Sequence, residues 1–298
     1  MDSFFHQLDW VLPLRSEFLT VIFKGITSLG EANIILMILV IFYWIINREA
    51  GNRLAIIVLT TVLLNSFLKD LWQNPRPDLK YVLDGSLTKS FGAPSGHTQI
   101  AVVMWLWMAR EIGKRWAWPV AGIIAAGVGF SRLYLGEHDV EDVLAGLGIA
   151  LGTLLLFRWA LFPLFERWRG LSPVVPIGVT AAGLAVLYYC WPVEPVPKNL
   201  LLIGGFFMGW LGGVALLNRK PFDSRRLTPS RTLLAALLGV VLLGSVMIGL
   251  RSILQLLELP EPIARLIGGL IVGLTATGLV PPLLVRFKLM QKVEPGRT

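Results

Sequence analysis

Three short clusters hold the residues of this chain that could do chemistry. The first is Lys69-Asp-Leu-Trp-Gln-Asn-Pro-Arg76-Pro77 and the second is Pro94-Ser95-Gly96-His97. The third runs from Ser131-Arg132 through Glu137-His138-Asp139 to Glu141-Asp142. Each stands at the end of an apolar segment. Together they bring three cations, two of the chain's three histidines and a carboxylate to one part of a greasy protein. That inventory suits cleavage of a phosphate ester, where in-line positioning and charge stabilisation carry most of the catalysis.

Within the first cluster, Lys69 and Arg76 are seven positions apart, which on a continuing helix is two turns and one face. Asn74-Pro75 and Pro77 bend the chain there, so Arg76 is expected just outside the helix. The alternative is a pair of cations snorkelling to the membrane surface. In the second cluster Ser95 is a favoured N-cap, and Gly96 lets backbone come close to a ligand. The N–H groups and positive dipole end of the helix that follows form a ready phosphate seat. His138 and Asp142 are spaced i, i+4, so a carboxylate can hold one imidazole nitrogen and leave the other as a better nucleophile. The alternative is a capping Asp beside a surface His. Two His and one Asp could ligate a metal, but three neighbouring cations suit an anion and repel a divalent ion. Neither a metal nor another cofactor is expected.

These residues resemble the three signatures of the type 2 phosphatidic acid phosphatase family, which shares its site with vanadium haloperoxidases. Lys-x6-Arg-Pro, Pro-Ser-Gly-His and Ser-Arg-x5-His-x3-Asp all match, in order, and the resemblance covers about residues 25 to 165. It implies that Lys69, Arg76 and Arg132 hold the phosphate oxygens, with Ser95 and the Gly96 amide completing the cradle. It further implies that His138 attacks phosphorus with support from Asp142, while His97 protonates the leaving oxygen and then activates water. Asn65 with Lys69, and Leu29-Gly30-Glu31 at the start of the first span, look most like the sphingosine-1-phosphate and glucose-6-phosphatase branches. Glu137, Asp139 and Glu141 are left as a solvated rim, and His6 as an interfacial residue.

The elements that position these clusters are membrane helices, because a run of about 20 apolar residues matches the hydrocarbon thickness of a bilayer. Such runs fall at 26–47, 54–73, 97–112, 116–135, 139–162, 174–192, 199–217, 232–252 and 263–285, about nine spans. Alternate crossing puts all three clusters on one membrane face. The family core usually has six spans, so the last three are an extension. The expected division is an N-terminal interfacial segment 1–25, a phosphatase core 26–192 and a transmembrane extension 193–298. In the first segment Phe4, Leu8, Val11 and Leu12 make one apolar helical face over residues 3–12, limited by Pro13 and lying on the membrane surface. Asp2 and Asp9 argue against a signal peptide.

Composition agrees with an all-α polytopic membrane protein: 55% of positions are hydrophobic and only 15% charged. Barrel strands would alternate polar and apolar residues, which these runs do not. The single Cys190 excludes an intrachain disulfide and is expected to be inert packing inside an apolar run. The formal charge of +8 reflects basic cytoplasmic loops and not a nucleic-acid partner. The face opposite the clusters holds 17 basic and 5 acidic residues, against 10 and 14 on the cluster face. By the positive-inside rule the clusters face outward and the carboxyl terminus is cytoplasmic. Gly205, Gly209 and Gly213 lie four apart, where small residues let helices approach, either inside the monomer or across a homodimer face.

The expected activity is hydrolysis of a lipid phosphate or diphosphate through a phosphohistidine. A polyprenyl diphosphate leads for a bacterial inner membrane, with sphingosine-1-phosphate or phosphatidic acid next. A lipid phosphotransferase is the rival enzyme, and a phospholipid transporter or flippase is the non-enzymatic rival. Mere binding needs neither His138 nor Asp142.

Overall fold

The computed structural model describes residues 6–83, 90–164, 172, 174–194, 196, 198–217, 222–223 and 228–292. The fold is all-α, apart from a two-residue antiparallel pairing of β1 (Phe222–Asp223) with β2 (Gln291–Lys292). The chain divides into two compact units, residues 1–36 with 57–166 and residues 37–56 with 167–298. This division falls earlier than the expected boundary at 192 and gives the stretch 37–56 to the second unit.

Among the described residues, five helices are long and apolar enough to cross a membrane: Arg48–Trp72, Val140–Leu164, Asn199–Leu217, Pro229–Leu256 and Glu261–Arg286. A sixth candidate is a broken span, α1 (Glu17–Ser28) and Ala32–Ile46, bent by 53°. The expected single span 26–47 is therefore two helices. The first begins at Glu17, inside the expected interfacial segment. Ser16 caps it by accepting from the Leu19 N–H at 3.2 Å. At the break, a Cβ on Gly30 would sit 2.9 Å from His97 Cδ2, so only glycine admits the imidazole there.

Helices also stand at the other expected positions, but they are short. These are α4 (Gly96–Ile112), α5 (Ala117–Tyr134) and, in the second unit, α7 (Val174–Tyr189). Helix α4 buries Thr98 and Gln99, and α5 buries Ser131 and Arg132, so both spend polarity on the protein interior that a lipid-facing span could not carry. In the first unit α4 packs on α5 and on α6 (Val140–Leu156), and α1 packs on α5.

The described part of the expected surface helix, residues 6–12, is not a continuous α-helix. A 3-10 turn covers Asp9–Leu14 with Pro13 inside it, and Phe4 lies outside the described residues. Leu8 and Val11 are fully buried against Tyr81, Leu133, Tyr134 and Leu135, while Leu12 is exposed. Each such burial contributes roughly 1.5–3 kcal/mol, which fastens the segment to protein instead of headgroups. Arg15 adds hydrogen bonds to the carbonyls of Tyr81 (2.6 Å) and Tyr134 (3.1 Å). Asp9 accepts from the Tyr81 hydroxyl at 3.0 Å.

In the second unit, helix α3 (Arg48–Trp72) starts under an Asn47 cap, whose Oδ1 accepts from Glu49 N at 2.9 Å and Ala50 N at 3.2 Å. Helices α8 (Lys198–Leu217) and α10 (Glu261–Leu274) meet backbone to backbone. A Cβ at Gly205 or Gly209 would collide with the carbonyls of Leu266 or Leu270, and one at Gly213 with the Thr277 hydroxyl. Gly269 and Gly273 answer from α10 against Leu202 and Phe206. The small-residue stripe packs inside the chain, the first of its two expected uses. Cys190 is exposed just past the end of α7. Of the expected cytoplasmic charges, Arg167, Arg169, Arg219, Lys220, Arg225, Arg226 and Arg297 lie outside the described residues.

Candidate active site

The site is assembled in the first unit from the end of α3, the start of α4, and the turn between α5 and α6. Lys69 lies in the last turn of α3, which ends at Trp72; Gln73 then takes a left-handed φ of 49° and the chain leaves the helix axis. Arg76 thus stands outside the helix, as the prolines required. Both cations grip the segment before the second cluster. Lys69 Nζ donates to the carbonyls of Phe91 (2.5 Å) and Gly92 (2.7 Å). Arg76 donates to Ser90 O (2.7 Å), Ser90 Oγ (2.9 Å) and the carbonyl of Glu137 (3.0 Å). These cations are fixed to protein on one side, not snorkelling into solvent.

Ser95 occupies the N-cap position of α4, but its hydroxyl does not cap. It is fully buried and accepts from the Thr98 hydroxyl at 3.0 Å. Its N–H donates to the carbonyl of Asp142 at 2.9 Å, joining the second cluster to the third. Gly96 makes its close approach to Asn65, whose Oδ1 would stand 2.9 Å from an added Cβ. Asn65 Nδ2 in turn donates to Pro94 O (3.1 Å) and Gln99 Oε1 (2.8 Å), so it braces the turn from α3. The His97 ring packs on Gly30, and no hydrogen bond from it is found among the described residues.

In the third cluster His138 Nδ1 and Asp142 Oδ2 are 2.7 Å apart, and the residues are 2% and 0% exposed. Asp139 caps α6 by accepting from the Asp142 N–H at 2.9 Å, which sets the first turn and with it that carboxylate. Gly136, at φ 74°, reverses the chain between α5 and His138; its α-carbon lies against the Tyr81 carbonyl, with no room for a side chain. Arg132, 3% exposed, donates to Thr27 Oγ1 at 2.8 Å and to the Glu137 carboxylate.

Two rim assignments are corrected by this geometry. Glu137 is a mostly buried partner of Arg132, and Asp139 is a 2%-exposed helix cap. Only Glu141 stays exposed, with its carboxylate 3.2 Å from His6 Nε2. His6 is not merely interfacial, since its Nδ1 lies 2.6 Å from Asp139 Oδ2. That contact raises its pKa above the ordinary value, first through the hydrogen bond to Asp139. Sequence reasoning also missed Asn65 as a brace and Thr27 and Ser90 as partners of the arginines. Of these, only Asn65 carried a signal, its spacing of four from Lys69.

Electrostatics gather the cluster around His138. Burial first, then Lys69, Arg132, Arg76 and His97, hold its imidazole well below the ordinary value of 6.5. A neutral imidazole facing three cations is what nucleophilic attack on an anionic phosphate requires. Among the described residues, the buried Arg132 Nε, Asn74 Oδ1 and Asp142 Oδ1 have no hydrogen-bond partner. No group of three or more His, Cys, Asp or Glu among the described residues is placed to hold a metal ion.

The family model of the PAP2 superfamily matches residues 50–166, and that of the PAP2 superfamily phosphatase transmembrane extension matches residues 201–292. Phosphatidylglycerophosphatase B of Bacillus subtilis (strain 168) is 34% identical over 160 residues, covering 48% of this chain and 75% of that protein. Sphingosine-1-phosphate phosphatase 2 of Mus musculus is 23% identical over 267 residues, covering 84% of this chain and 75% of that one. A crystal structure of the transmembrane PAP2-type phosphatidylglycerolphosphate phosphatase of Bacillus subtilis superposes with a TM-score of 0.46 at 28% identity, covering 55% of this chain and 85% of the other. The chain belongs to the PAP2 superfamily, as an integral membrane lipid phosphatase.

Proposed function

We propose that this protein hydrolyses a lipid phosphomonoester at the outer membrane face, through a phosphohistidine on His138 and without a metal ion. The observation that carries the reading is the buried His138–Asp142 contact of 2.7 Å set among Lys69, Arg76 and Arg132. Asp142 accepts from Nδ1–H and leaves Nε2 as the nucleophile. Nε2 attacks phosphorus, the P–O bond to the lipid breaks, and His97, entering the step as the imidazolium beside the bound phosphate anion, delivers its proton to the leaving oxygen. His97 then takes a proton from water, which attacks the phosphohistidine and releases inorganic phosphate. Throughout, Lys69, Arg76, Arg132, Ser95 and the Gly96 amide hold the phosphate oxygens.

Two observations move a phosphomonoester ahead of the polyprenyl diphosphate favoured on sequence. The relatives are named for phosphatidylglycerophosphate and sphingosine-1-phosphate, and the Glu137 carboxylate removes one positive charge from the cradle. The site lies at helix ends, so the tail can remain in lipid; each CH₂ withdrawn into water would cost about 0.8 kcal/mol. Phosphate release from detergent-solubilised protein tests the reading. Free phosphate from a lipid monoester supports it, transfer only to an added acceptor favours a phosphotransferase, and neither outcome favours a transporter. Equal or better kcat/KM for glucose-6-phosphate in the same micelles would reject a lipid substrate. The outward face is tested with an impermeant thiol reagent on single cysteines in a Cys190→Ser background. Labelling near residue 85 from outside supports it, and labelling of the 218–231 loop alone contradicts it.

A further inference from the structure

Arg132 divides its guanidinium in three directions. Nη1 donates to Thr27 Oγ1 at 2.8 Å, Nη2 donates to the Glu137 carboxylate, and the buried Nε has no partner among the described residues. Glu137 is itself mostly buried, and its backbone carbonyl accepts from Arg76 Nη1 at 3.0 Å. One residue, immediately before the nucleophile, therefore touches two of the three cations assigned to phosphate.

We propose that Glu137 is a resident competitor for the phosphate seat: its carboxylate holds the Arg132 guanidinium that a phosphate must share, and so sets how tightly the site binds substrate and product phosphate. This rests on the reading of Arg132 as a phosphate ligand given above. A carboxylate and a phosphate compete for a guanidinium because both match its planar fork of donors. A phosphate has the unpartnered Nε to bond first, and gains Nη2 only by displacing the carboxylate or by sitting beside a like charge. Either course weakens its binding, and in a mostly buried site the penalty is larger than in water. Because the penalty acts on any bound phosphate, it falls on the inorganic phosphate left after hydrolysis as well as on the lipid. Glu137 thereby favours release of product over retention.

A merely structural Glu137 predicts the opposite sign. If the carboxylate served only to orient Arg132, its loss would loosen the guanidinium and weaken phosphate binding. The test is the near-isosteric Glu137→Gln in the full-length protein in detergent. Equilibrium dialysis measures its dissociation constant for inorganic phosphate, and inhibition of lipid phosphate turnover measures the inhibition constant. Both are expected to fall at least about tenfold, the lower end of what one close charge contributes at a buried site. KM is expected to fall with them while kcat does not rise. Unchanged or weaker phosphate binding overturns the proposal. Should Glu137→Gln aggregate, Glu137→Ala removes the same charge and carries the same expected sign. Dialysis needs no turnover, so a wild type inert on every lipid phosphate would reject the functional reading while leaving this comparison intact.

Discussion

The Ser95 N–H donates to the carbonyl of Asp142 at 2.9 Å, so the turn before α4 is bonded to the first turn of α6. Asp142 serves twice in this way. Its backbone holds the phosphate-seat turn, and its side chain holds the His138 imidazole at 2.7 Å. In the proposed mechanism, one residue thus fixes both the phosphate seat and the nucleophile of a site spread over more than 70 positions of chain.

That bond depends on α6 coming close to Ser95. A Cβ on Gly146 would stand 2.7 Å from the Ser95 carbonyl and 3.4 Å from Thr98 Cβ. Gly146→Val is expected to push the turn away and lower kcat at least about 100-fold, because a shift of roughly 1 Å in a reacting group has that effect. Steady-state kinetics on a lipid phosphate checks it. A kcat within threefold of wild type would show that the seat tolerates the displacement.

Asn65 is the brace on the other side of the same turn. Asn65→Leu removes the bonds to Pro94 O and Gln99 Oε1 and leaves both acceptors buried, at an expected cost of about 1–3 kcal/mol. Thermal unfolding in detergent should show a lowered Tm, with kcat reduced as well because Pro94 adjoins Ser95. An unchanged Tm would mean that the turn is held without it.

His138 sets the acid behaviour. Its folded-state pKa lies well below 6.5, so the imidazole stays neutral and nucleophilic as pH falls through the ordinary histidine range. The nucleophile's acid limb in kcat/KM is therefore expected clearly below pH 6.5. The sign for stability follows from the same depression. Below 6.5 the unfolded chain takes up a proton that the folded site refuses, so this residue's contribution to folded-state stability falls as pH drops through 6.5. A pH–rate profile on the wild type decides it, and an acid limb centred at 6.5 or above would contradict the neutral buried imidazole.

Much of this site was legible because its pairs are local. The four-residue spacing of His138 and Asp142 marks them as a pair, although His138 stands just before the Asp139 cap of α6 and not on the helix, and Lys69 to Arg76 with its prolines marks a helix end. The partners that were not legible meet only through tertiary contact. Asn65 reaches Pro94 across 29 positions and His6 reaches Asp139 across 133, and no periodicity links such residues. Glu137 is five positions from Arg132, off the helical face, and meets it because Gly136 reverses the chain between them. The N-terminal helix was misplaced for a related reason. Leu8 and Val11 satisfy a helical pattern, but they bury in a cluster with Tyr81 and Tyr134 that the local sequence does not show. The break at Gly30 was hidden because hydropathy measures apolar length and not continuity.

The glycine stripe makes a separate prediction for the second unit. Gly209→Leu would drive a side chain into the Leu270 carbonyl, and overpacking of this kind costs about 1–3 kcal/mol or more. Lowered Tm and reduced yield of folded protein are expected, with no discrete change of oligomeric state. A fully stable variant that shifts from dimer to monomer on size-exclusion chromatography would instead place the stripe at a subunit interface.

The most direct test is to find the phosphoryl group on His138. Wild-type protein is mixed with a lipid carrying a radiolabelled phosphate, quenched in alkali during turnover, and mapped by peptide; His138→Ala is treated alongside with EDTA present throughout. The expected result is base-stable, acid-labile label on the peptide holding His138, none on the variant, abolished turnover in the variant and undiminished turnover of wild type in EDTA. Full turnover by His138→Ala, or label on another residue, would contradict the account.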